Sequence, residues 1–150
     1  MAMNSALGPQ LRLTARAELS AYVGLENLTE ARVLELLQRA WSLFDGPESA
    51  LIEVVWMAQA EHCELHAKFL NDPSPTDVMA FPYGDEDLFG EVLVNLDMAA
   101  EQAEERHLPI QGEVELYVVH GALHLLGFED HDDTTRSAMR AAESRVLESH

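Results

Sequence analysis

The sequence has few of the features that mark secreted or membrane proteins. Cys63 is the only cysteine among 150 residues, so no internal disulfide can form, and this fits a reducing compartment. No apolar run approaches the roughly 18 residues that a membrane span needs. The first ten residues, MAMNSALGPQ, lack the basic and apolar regions of a signal peptide. We therefore expect a cytoplasmic protein that does not associate with membranes.

Basic residues are also scarce. Lys and Arg total 9 against 27 Asp and Glu, which gives a formal net charge of −18 with histidine neutral. Such a charge repels nucleic acid at long range and argues against broad, non-specific phosphate binding. It leaves room for a local cationic or metal-centred cleft, because salt screens charges beyond about 8 Å. We therefore expect no DNA binding, while RNA binding needs evidence of its own.

What the sequence does contain is a succession of patterned apolar segments, with 47% hydrophobic residues, no internal repeat and no long linker. Alternating or short β-branched runs predict strands, and apolar residues three and four positions apart predict helices. The predicted strands are 9–17, 51–56, 78–82 and 90–95, and the predicted helices are 29–44, 58–69, 98–107, 112–126 and 133–148. Strands mixed with helices indicate one α/β or α+β domain over residues 1–150.

Two residues are expected to cap helices, one at the start of a helix and one at the end of another. Asp97 precedes the predicted helix 98–107 and is a candidate N-cap, since a side-chain oxygen there accepts a free backbone N–H. Gly127 follows the most apolar helix, 112–126, in the position that a C-cap glycine prefers.

That apolar helix carries two histidines four residues apart, His120 and His124. Residues at this spacing lie on one helix face, so both imidazoles can bind one ion. Gly127 allows a sharp turn that returns a third ligand from the residues after it, Glu129, Asp130 and His131. Nitrogen and oxygen donors of this kind suit zinc, and three protein ligands plus water form its catalytic arrangement. We therefore expect one zinc ion per chain.

Two histidines on one helix face are often only packing or surface residues. Here they lie among apolar residues, which is a poor environment for unpartnered imidazoles and favours the metal site. Gly121 between them costs roughly 1 kcal/mol relative to alanine in a helix, so close packing or substrate access is expected there. In the zinc metalloprotease motif this position holds the general-base glutamate, so protease chemistry of that type lacks its base.

The segment HGALHLLGFEDH at 120–131 resembles the signature of the YbeY family of bacterial rRNA-maturation endoribonucleases, whose usual form is HGxLHLxGYDH. Two further stretches are similar to family motifs: PTDVMAFP at 75–82 to PTDVLSFP, and GEVLV at 90–94 to GDIVI. The resemblance implies an α+β fold with a small mixed sheet of about four strands, about five helices, and zinc bound at a helix C-terminus by three residues of the signature.

The same resemblance implies a function. It implies single-strand-specific, zinc-dependent cleavage of RNA, in 16S rRNA 3′-end maturation and in ribosome quality control. The implied partners are ribosomal RNA and the ribosome or its small subunit.

The third metal ligand departs from the family pattern. The family's third histidine falls ten residues after the first, where this chain has Asp130, and His131 follows at eleven. Either the loop bulges and His131 binds the metal, or Asp130 binds it through an oxygen, which zinc accepts. We favour His131, because a loop after glycine can absorb one residue.

A second departure concerns phosphate binding. Leu70 stands where the family carries an arginine, and His66 stands where it carries an asparagine. An arginine there would suit a phosphate or its developing charge, so its absence weakens the ribonuclease assignment. Lys68, the only lysine, is a substitute if its side chain reaches the cleft.

The candidate catalytic residues are His120, His124, Asp77 and Glu91. Asp77 is either a turn carboxylate or a partner of a site histidine. The general base stays open: it is a carboxylate that does not bind the metal (Glu91, Glu129 or Asp130), or the ribose 2′-OH attacks in place of water.

Other polar pairs have plainer interpretations. His62 and His66 are a second possible metal pair, but a solvated helix face is favoured. Arg136 and Arg140, one turn apart, can contact phosphate, although such pairs more often lie on a solvated face.

Two other functions remain as alternatives to the endoribonuclease. The absent arginine and the net charge favour a zinc-binding ribosome assembly factor with little nuclease activity. The third interpretation is a metal-dependent hydrolase of a non-RNA substrate.

Overall fold

The computed structural model describes residues 8–85 and 87–148. Within these ranges the elements run in the order β1 (Gly8–Ala15), α1 (Glu30–Leu43), β2 (Ser49–Met57), α2 (Gln59–Leu70), β3 (Val78–Pro82), β4 (Gly90–Asn95), α3 (Leu96–Arg106), α4 (Ile110–Leu125) and α5 (Asp133–Glu148). The predicted α+β fold with four strands and five helices is therefore confirmed. None of the helices in these ranges combines the length and the apolar character needed to span a lipid bilayer.

The four strands form one mixed sheet in the order β1-β2-β4-β3. β2 pairs in parallel with both β1 and β4, whereas β3 pairs with β4 in the antiparallel direction. Val78 lies opposite Val94 and Pro82 lies opposite Gly90 in this last pairing. β3 is therefore an edge strand of the sheet.

Side chains alternate between the two faces of this sheet, as the period of a strand requires. One face, with Ile52, Val54, Val92 and Val94, is buried in the main core, to which the helices α1, α3, α4 and α5 contribute. The other face carries a small apolar cluster packed against Leu65 of α2. The two faces are thus unequally covered, and α4 lies on the fully covered side.

Close packing of α4 beneath the β3–β4 pair depends on Gly121. A Cβ atom at this position would lie 2.6 Å from Val92 Cγ1 and 3.2 Å from Val78 Cγ2. The expectation of close packing at this glycine is therefore confirmed. This contact places the neighbouring histidines, His120 and His124, beside the free edge of β3.

The start of α3 differs from the expectation. Asn95, not Asp97, caps the helix, because its side chain accepts the Met98 backbone N–H at 3.0 Å. β4 leads directly into α3 without a loop, so the last strand residue has the extended backbone of an N-cap, and Asp97 already lies in the first turn. Asp97 instead accepts hydrogen bonds from the Gln59 backbone N–H and the Tyr22 hydroxyl.

Candidate metal centre

Three potential metal ligands converge where α4 ends. The Nε2 atoms of His120 and His124 are 3.1 Å apart. One carboxylate oxygen of Asp130 lies 3.1 Å from His120 Nε2 and 3.4 Å from His124 Nε2. Within the described residues this is the one group of three or more histidine, cysteine or acidic side chains arranged so that it can hold an ion. We refer to His120, His124 and Asp130 as the triad.

The turn after α4 brings Asp130 to the two histidines. Gly127 adopts φ +101°, and its N–H bonds to the His124 carbonyl at 3.0 Å. The Phe128 N–H bonds to the Leu123 carbonyl at 3.0 Å. These two bonds form the glycine-dependent C-cap that reverses the chain. The sequence expectation for Gly127 is therefore confirmed.

Hydrogen bonds at the far side of each ring orient the imidazoles. His124 Nδ1–H donates to the Phe128 carbonyl at 3.0 Å, so the helix-ending turn also fixes this ring. His120 Nδ1–H donates to a Glu143 carboxylate oxygen at 2.5 Å. With Nδ1 protonated in both rings, the lone pair of each Nε2 points towards the triad centre. Partners of this kind are typical of histidines that bind metal ions.

Glu143 also sets the acidity of His120. Burial of the ring lowers its pKa, but the hydrogen bond and the charge of Glu143 outweigh this effect, so the pKa of His120 lies above its ordinary value. The carboxylates of Asp77 and Asp130 act in the same direction. The His120 ring therefore holds a proton more strongly than an ordinary imidazole does, as expected beside carboxylates.

The donor set fits a divalent ion such as zinc. Ligands bound at roughly 2.0–2.1 Å in a tetrahedron lie about 3.3 Å from one another. The three separations in the triad, 3.1, 3.1 and 3.4 Å, match this value closely. Two imidazole nitrogens and one carboxylate oxygen are also a recognised set for catalytic zinc, which keeps a fourth position open.

His131, the ligand favoured from the sequence, lies outside this group. Its side chain is 62% exposed and faces Glu129 at 3.3 Å and Asp132 at 3.4 Å. The extra residue after Gly127 therefore does not form a bulge that returns His131 to the centre. Asp130, at the position of the family's third histidine, occupies that place, and the geometry favours Asp130 as the third ligand.

Asp77 lies near the triad without a hydrogen bond to it among the described residues. Its Oδ1 atom accepts the Val78 backbone N–H at 2.7 Å, which holds the carboxylate at the start of β3. It lines two cavities together with His120 and Asp130. Asp77 is thus placed where it can contact a substrate.

Glu91 lies on the opposite face of the sheet from the triad. Its neighbour Val92 faces α4, so alternation turns Glu91 towards Glu53 and Tyr83. The Tyr83 hydroxyl donates to Glu91 at 2.6 Å. Burial, together with the nearby Glu53, raises the pKa of Glu91. The sheet therefore separates Glu91 from the triad.

A cleft of about 500 Å³ opens from the triad along the edge of β3. His66, Leu70 and Asp77 are among the residues that line it. No lysine or arginine of the described chain lines this cleft. The Lys68 ammonium group instead lies over the Phe69 ring, 5.4 Å from its centroid. Lys68 therefore does not replace the family arginine in this cleft.

The paired histidines of α2 are buried, so the expected solvated face is wrong. His62 is fully buried, and its Nε2 lies 2.9 Å from the Leu93 carbonyl. His66 Nδ1–H donates to the Ser74 carbonyl at 2.7 Å, and the ring lines the cleft. Each ring is engaged by a different backbone carbonyl.

Two residues near the triad were missed by the sequence analysis. Glu143 contacts His120 from a helix 23 positions later, and it is one of many acidic residues without a distinctive pattern. His66 was noted as half of a helical pair and as the residue at the position of a family asparagine, but not as part of the cleft, which it lines through the packing of α2 against the sheet. Only tertiary structure brings either residue to the site.

Comparison with known proteins gives one consistent family. A family model described as "Endoribonuclease YbeY" matches residues 20–150. A relative named endoribonuclease YbeY from Protochlamydia amoebophila is 32% identical over 128 residues, covering 82% of this chain and 81% of its own length. Another of that name, from Rhodopirellula baltica, is 41% identical over 87 residues, covering 55% of this chain and 45% of its own.

A solved structure has a similar fold. The solution structure of a Thermotoga maritima protein matches with a TM-score of 0.57 at 24% identity, covering 92% of this chain and 89% of that one. At this identity the likeness concerns the fold alone.

Proposed function

The chain belongs to the YbeY family, and from this membership we propose that it is a metal-dependent endoribonuclease that acts in ribosomal RNA processing. The observation that carries the proposal is the triad. Its two histidines come from the family's signature on α4, and it opens into a cleft large enough for a nucleotide strand. Membership supplies the class of reaction, and the triad supplies a place where it can occur.

The proposed cofactor is one zinc ion per chain, held by His120, His124 and Asp130. Such an ion would act as a Lewis acid that activates an attacking water and polarises a phosphoryl oxygen, which are the two needs of phosphodiester hydrolysis. Glu143 and the Phe128 carbonyl keep both Nε2 lone pairs directed at the site. They thereby lower the cost of ordering the ligands.

Asp77 is the proposed proton acceptor. Its Oδ1 is fixed by the Val78 N–H, while its Oδ2 makes no hydrogen bond within the described part of the chain. The other carboxylates considered are placed less well, because Glu129 is exposed beside His131 and Glu91 lies across the sheet. Asp77 would take the proton from the attacking hydroxyl, whether water or a ribose 2′-OH.

The proposed substrate is unpaired RNA at the 3′ end of 16S rRNA, within the ribosome or its small subunit, in the cytoplasm. The cleft along β3 is open and about 500 Å³ in volume, which suits a flexible single strand. The assignment to this RNA and the role in ribosome quality control rest on the family resemblance.

One observation favours a different function. Leu70 lies in the cleft where the family carries an arginine, and no described lysine or arginine replaces it there. A zinc-binding assembly factor with little nuclease activity would tolerate this loss. So would a hydrolase of a non-RNA substrate.

Cleavage of ribosomal RNA by the metal-loaded protein tests the proposal. The substrate is RNA with an unprocessed 16S 3′ end, and the variants are His124→Ala and, as a matched control outside the triad, His131→Ala. We expect cleavage by the wild type and by His131→Ala, and a loss of at least about a hundredfold in His124→Ala, because removing a key electrostatic contributor to transition-state stabilisation costs that much.

The opposite results are also informative. If metal is bound but neither free RNA nor ribosomes are cleaved, the assembly factor becomes the better assignment. If His124→Ala cleaves as fast as the wild type, the triad is not the active site.

A further inference from the structure

The few basic residues of this chain are unevenly distributed around the triad. Three of the nine lysines and arginines line a second cavity of about 330 Å³, bounded by α3, α4 and α5. They are Arg106, Arg136 and Arg140. This basic cavity shares His120, Asp77 and Asp130 with the cleft along β3. The triad therefore lies between one cavity with three arginines and another in which the described residues include no arginine or lysine.

The face of α5 that carries two of these arginines points at the triad. Arg136, Arg140 and Glu143 are spaced four and three residues apart, so they share a face of the helix. Glu143 of this face contacts His120 at 2.5 Å. The apolar face of α5, with Met139, packs into the core. Arg136 and Arg140 lie on the same helix face as Glu143, which contacts His120, so this face is directed towards the triad and not only towards solvent.

The three arginines differ in how many ion pairs and hydrogen bonds their guanidinium groups form with the rest of the protein. Arg140 is exposed and forms no ion pair with any residue that the structure describes. Arg136 donates to Asp133, which is fully exposed, at 2.8 Å, and to the Asp130 backbone carbonyl at a longer 3.4 Å. Arg106 is paired at 3.2 Å with Glu113, a buried carboxylate. Arg140 is therefore the most available cation, and Arg136 can exchange its exposed partner at little cost.

The acidic residues of the basic cavity have other tasks. Asp130 belongs to the triad, and Glu143 is engaged with His120. Asp77 is held by a backbone N–H at the start of β3. A divalent ion at the triad would further offset these carboxylates. The three arginines and the three carboxylates that line the cavity balance in formal charge, so a divalent ion bound at the triad would make their sum positive, in a chain whose overall charge is −18.

We propose that the basic cavity binds a backbone phosphate of the RNA strand, next to the phosphate that is cleaved at the triad, chiefly through Arg140 and Arg136. Guanidinium groups bind phosphate oxygens through paired N–H donors, and contacts of this kind position a strand without reading its sequence. The strand would run from the basic cavity across the triad into the cleft along β3. In this arrangement the arginines of α5 would supply the positive charge that the family's arginine supplies at the position of Leu70 in α2. The inference rests on the proposed action on RNA.

The test measures binding separately from cleavage. The probe is a fluorescent single-stranded oligonucleotide with 2′-O-methyl riboses, which keeps the phosphates and blocks attack by the ribose hydroxyl, and the protein is the metal-loaded full chain. The variants are Arg140→Gln and Arg136→Gln/Arg140→Gln. The control is Arg16→Gln, which removes the same charge from a similarly exposed residue, paired with Glu61 away from both cavities.

We expect Arg140→Gln to weaken binding of the probe about tenfold at low salt. We also expect the slope of log K, where K is the association constant, against log salt concentration to decrease in magnitude by about 0.7, because this is the value for one phosphate contact with a single strand. The double variant is expected to lose about twice that slope. Arg16→Gln is expected to bind like the wild type. Arg140 lacks an ion pair among the described residues, so thermal unfolding is expected to show that the variant remains folded.

Two outcomes overturn the inference. Equal losses in Arg140→Gln and Arg16→Gln would mean that only the net charge matters, and no binding of the probe by the wild type would mean that no phosphate site exists. Failure of the proposed function looks different. In that case the wild type binds the probe with the expected dependence on Arg140, yet does not cleave RNA that carries 2′-hydroxyls.

Discussion

At the scale of single residues, Asp130 illustrates how one inserted residue changes which side chain meets the two histidines of the candidate metal site. The family spacing places a histidine where this chain has Asp130, and the next residue is His131. The C-cap at Gly127 fixes the path of the chain, so the position and not the residue type decides which side chain meets the two imidazoles. As a proposed ligand, a carboxylate in that place would keep the number of ligands and add a negative charge.

Metal content tests this assignment. Asp130→Ala is expected to lose most of the bound zinc, because two imidazoles alone hold the ion weakly, whereas His131→Ala is expected to keep one ion per chain. The measurement is elemental analysis of both purified proteins after dialysis. His120→Ala serves as the control for a lost ligand. Equal retention of metal in Asp130→Ala and His131→Ala would show that neither residue is the third ligand.

His62 makes a separate prediction about stability and pH. Burial lowers its pKa below the ordinary 6.5, and the charge of His66 lowers it further, despite opposing effects of the Leu93 carbonyl and Asp77. The unfolded chain therefore binds a proton at higher pH than the folded chain does. The contribution of His62 to the free energy of unfolding therefore decreases as the pH falls through about 6.5 towards the pKa of His62 in the folded chain.

The variant His62→Gln keeps an N–H donor for the Leu93 carbonyl but cannot titrate. Between about pH 7.5 and about pH 5.5, we expect the wild type to lose stability relative to this variant, by at most about 1.4 kcal/mol per pH unit. Urea unfolding of both proteins at the two pH values measures this change, and effects common to both cancel in the comparison. A difference that does not vary with pH would contradict the prediction.

At the scale of elements, α4 serves both the core and the site. One side of the helix packs beneath β3 and β4 through Gly121, and the adjoining side carries His120 and His124. Because His120 and His124 belong to a helix buried in the core, packing fixes their position relative to the sheet. The position of α4 relative to the sheet is therefore part of the site.

Two glycines of α4 allow a matched test of this packing. Gly121→Ala would place a methyl group 2.6 Å from Val92, and overpacking of this kind typically costs about 1–3 kcal/mol. Gly112→Ala has no atom within 4 Å of the new Cβ, so the higher helix propensity of alanine is expected to leave stability unchanged or raise it by up to about 1 kcal/mol. Chemical denaturation measures both. A Gly121→Ala variant as stable as Gly112→Ala would show that the close contact is unimportant.

The elements themselves were largely predictable, because local pattern decides them. The strands Val78–Pro82 and Gly90–Asn95 and the helix Asp133–Glu148 have the predicted bounds, since apolar periodicity and neighbouring turns define them. The N-cap at Asp97 was wrong, because the sequence does not reveal that β4 continues directly into α3.

The surroundings of the triad were less predictable. Helical spacing brings His120 and His124 together, and the glycine turn indicates that a ligand follows. Nothing local connects Glu143 with His120, and nothing local shows that Glu91 faces away, because both depend on how elements pack. The sequence therefore indicates the centre of the site, and tertiary structure supplies its partners and its limits.

At the scale of the whole molecule, charge is the dominant feature. The chain carries −18 overall, yet three of its nine basic side chains gather in one cavity beside the triad. A strongly acidic surface repels most of an RNA molecule, so only a segment that enters the basic cavity would be held. Electrostatic repulsion over most of the surface would then contribute to selectivity for an accessible single strand.

The placement of two triad residues on α4 would also link metal supply to the abundance of folded protein. In the unfolded chain Asp130 is no longer held against the two imidazoles, so an ion bound at the triad would stabilise the native state relative to the unfolded one. By mass action this stabilisation is RT ln(1 + [L]/Kd), about 2.7 kcal/mol when free ion is a hundredfold above its dissociation constant. Marginally stable proteins are degraded in cells in proportion to the unfolded fraction, so metal starvation would shorten the lifetime of the chain as well as silence its site. A buried helix that carries two of the proposed ligands would thus let proteolysis remove the copies that lack the ion.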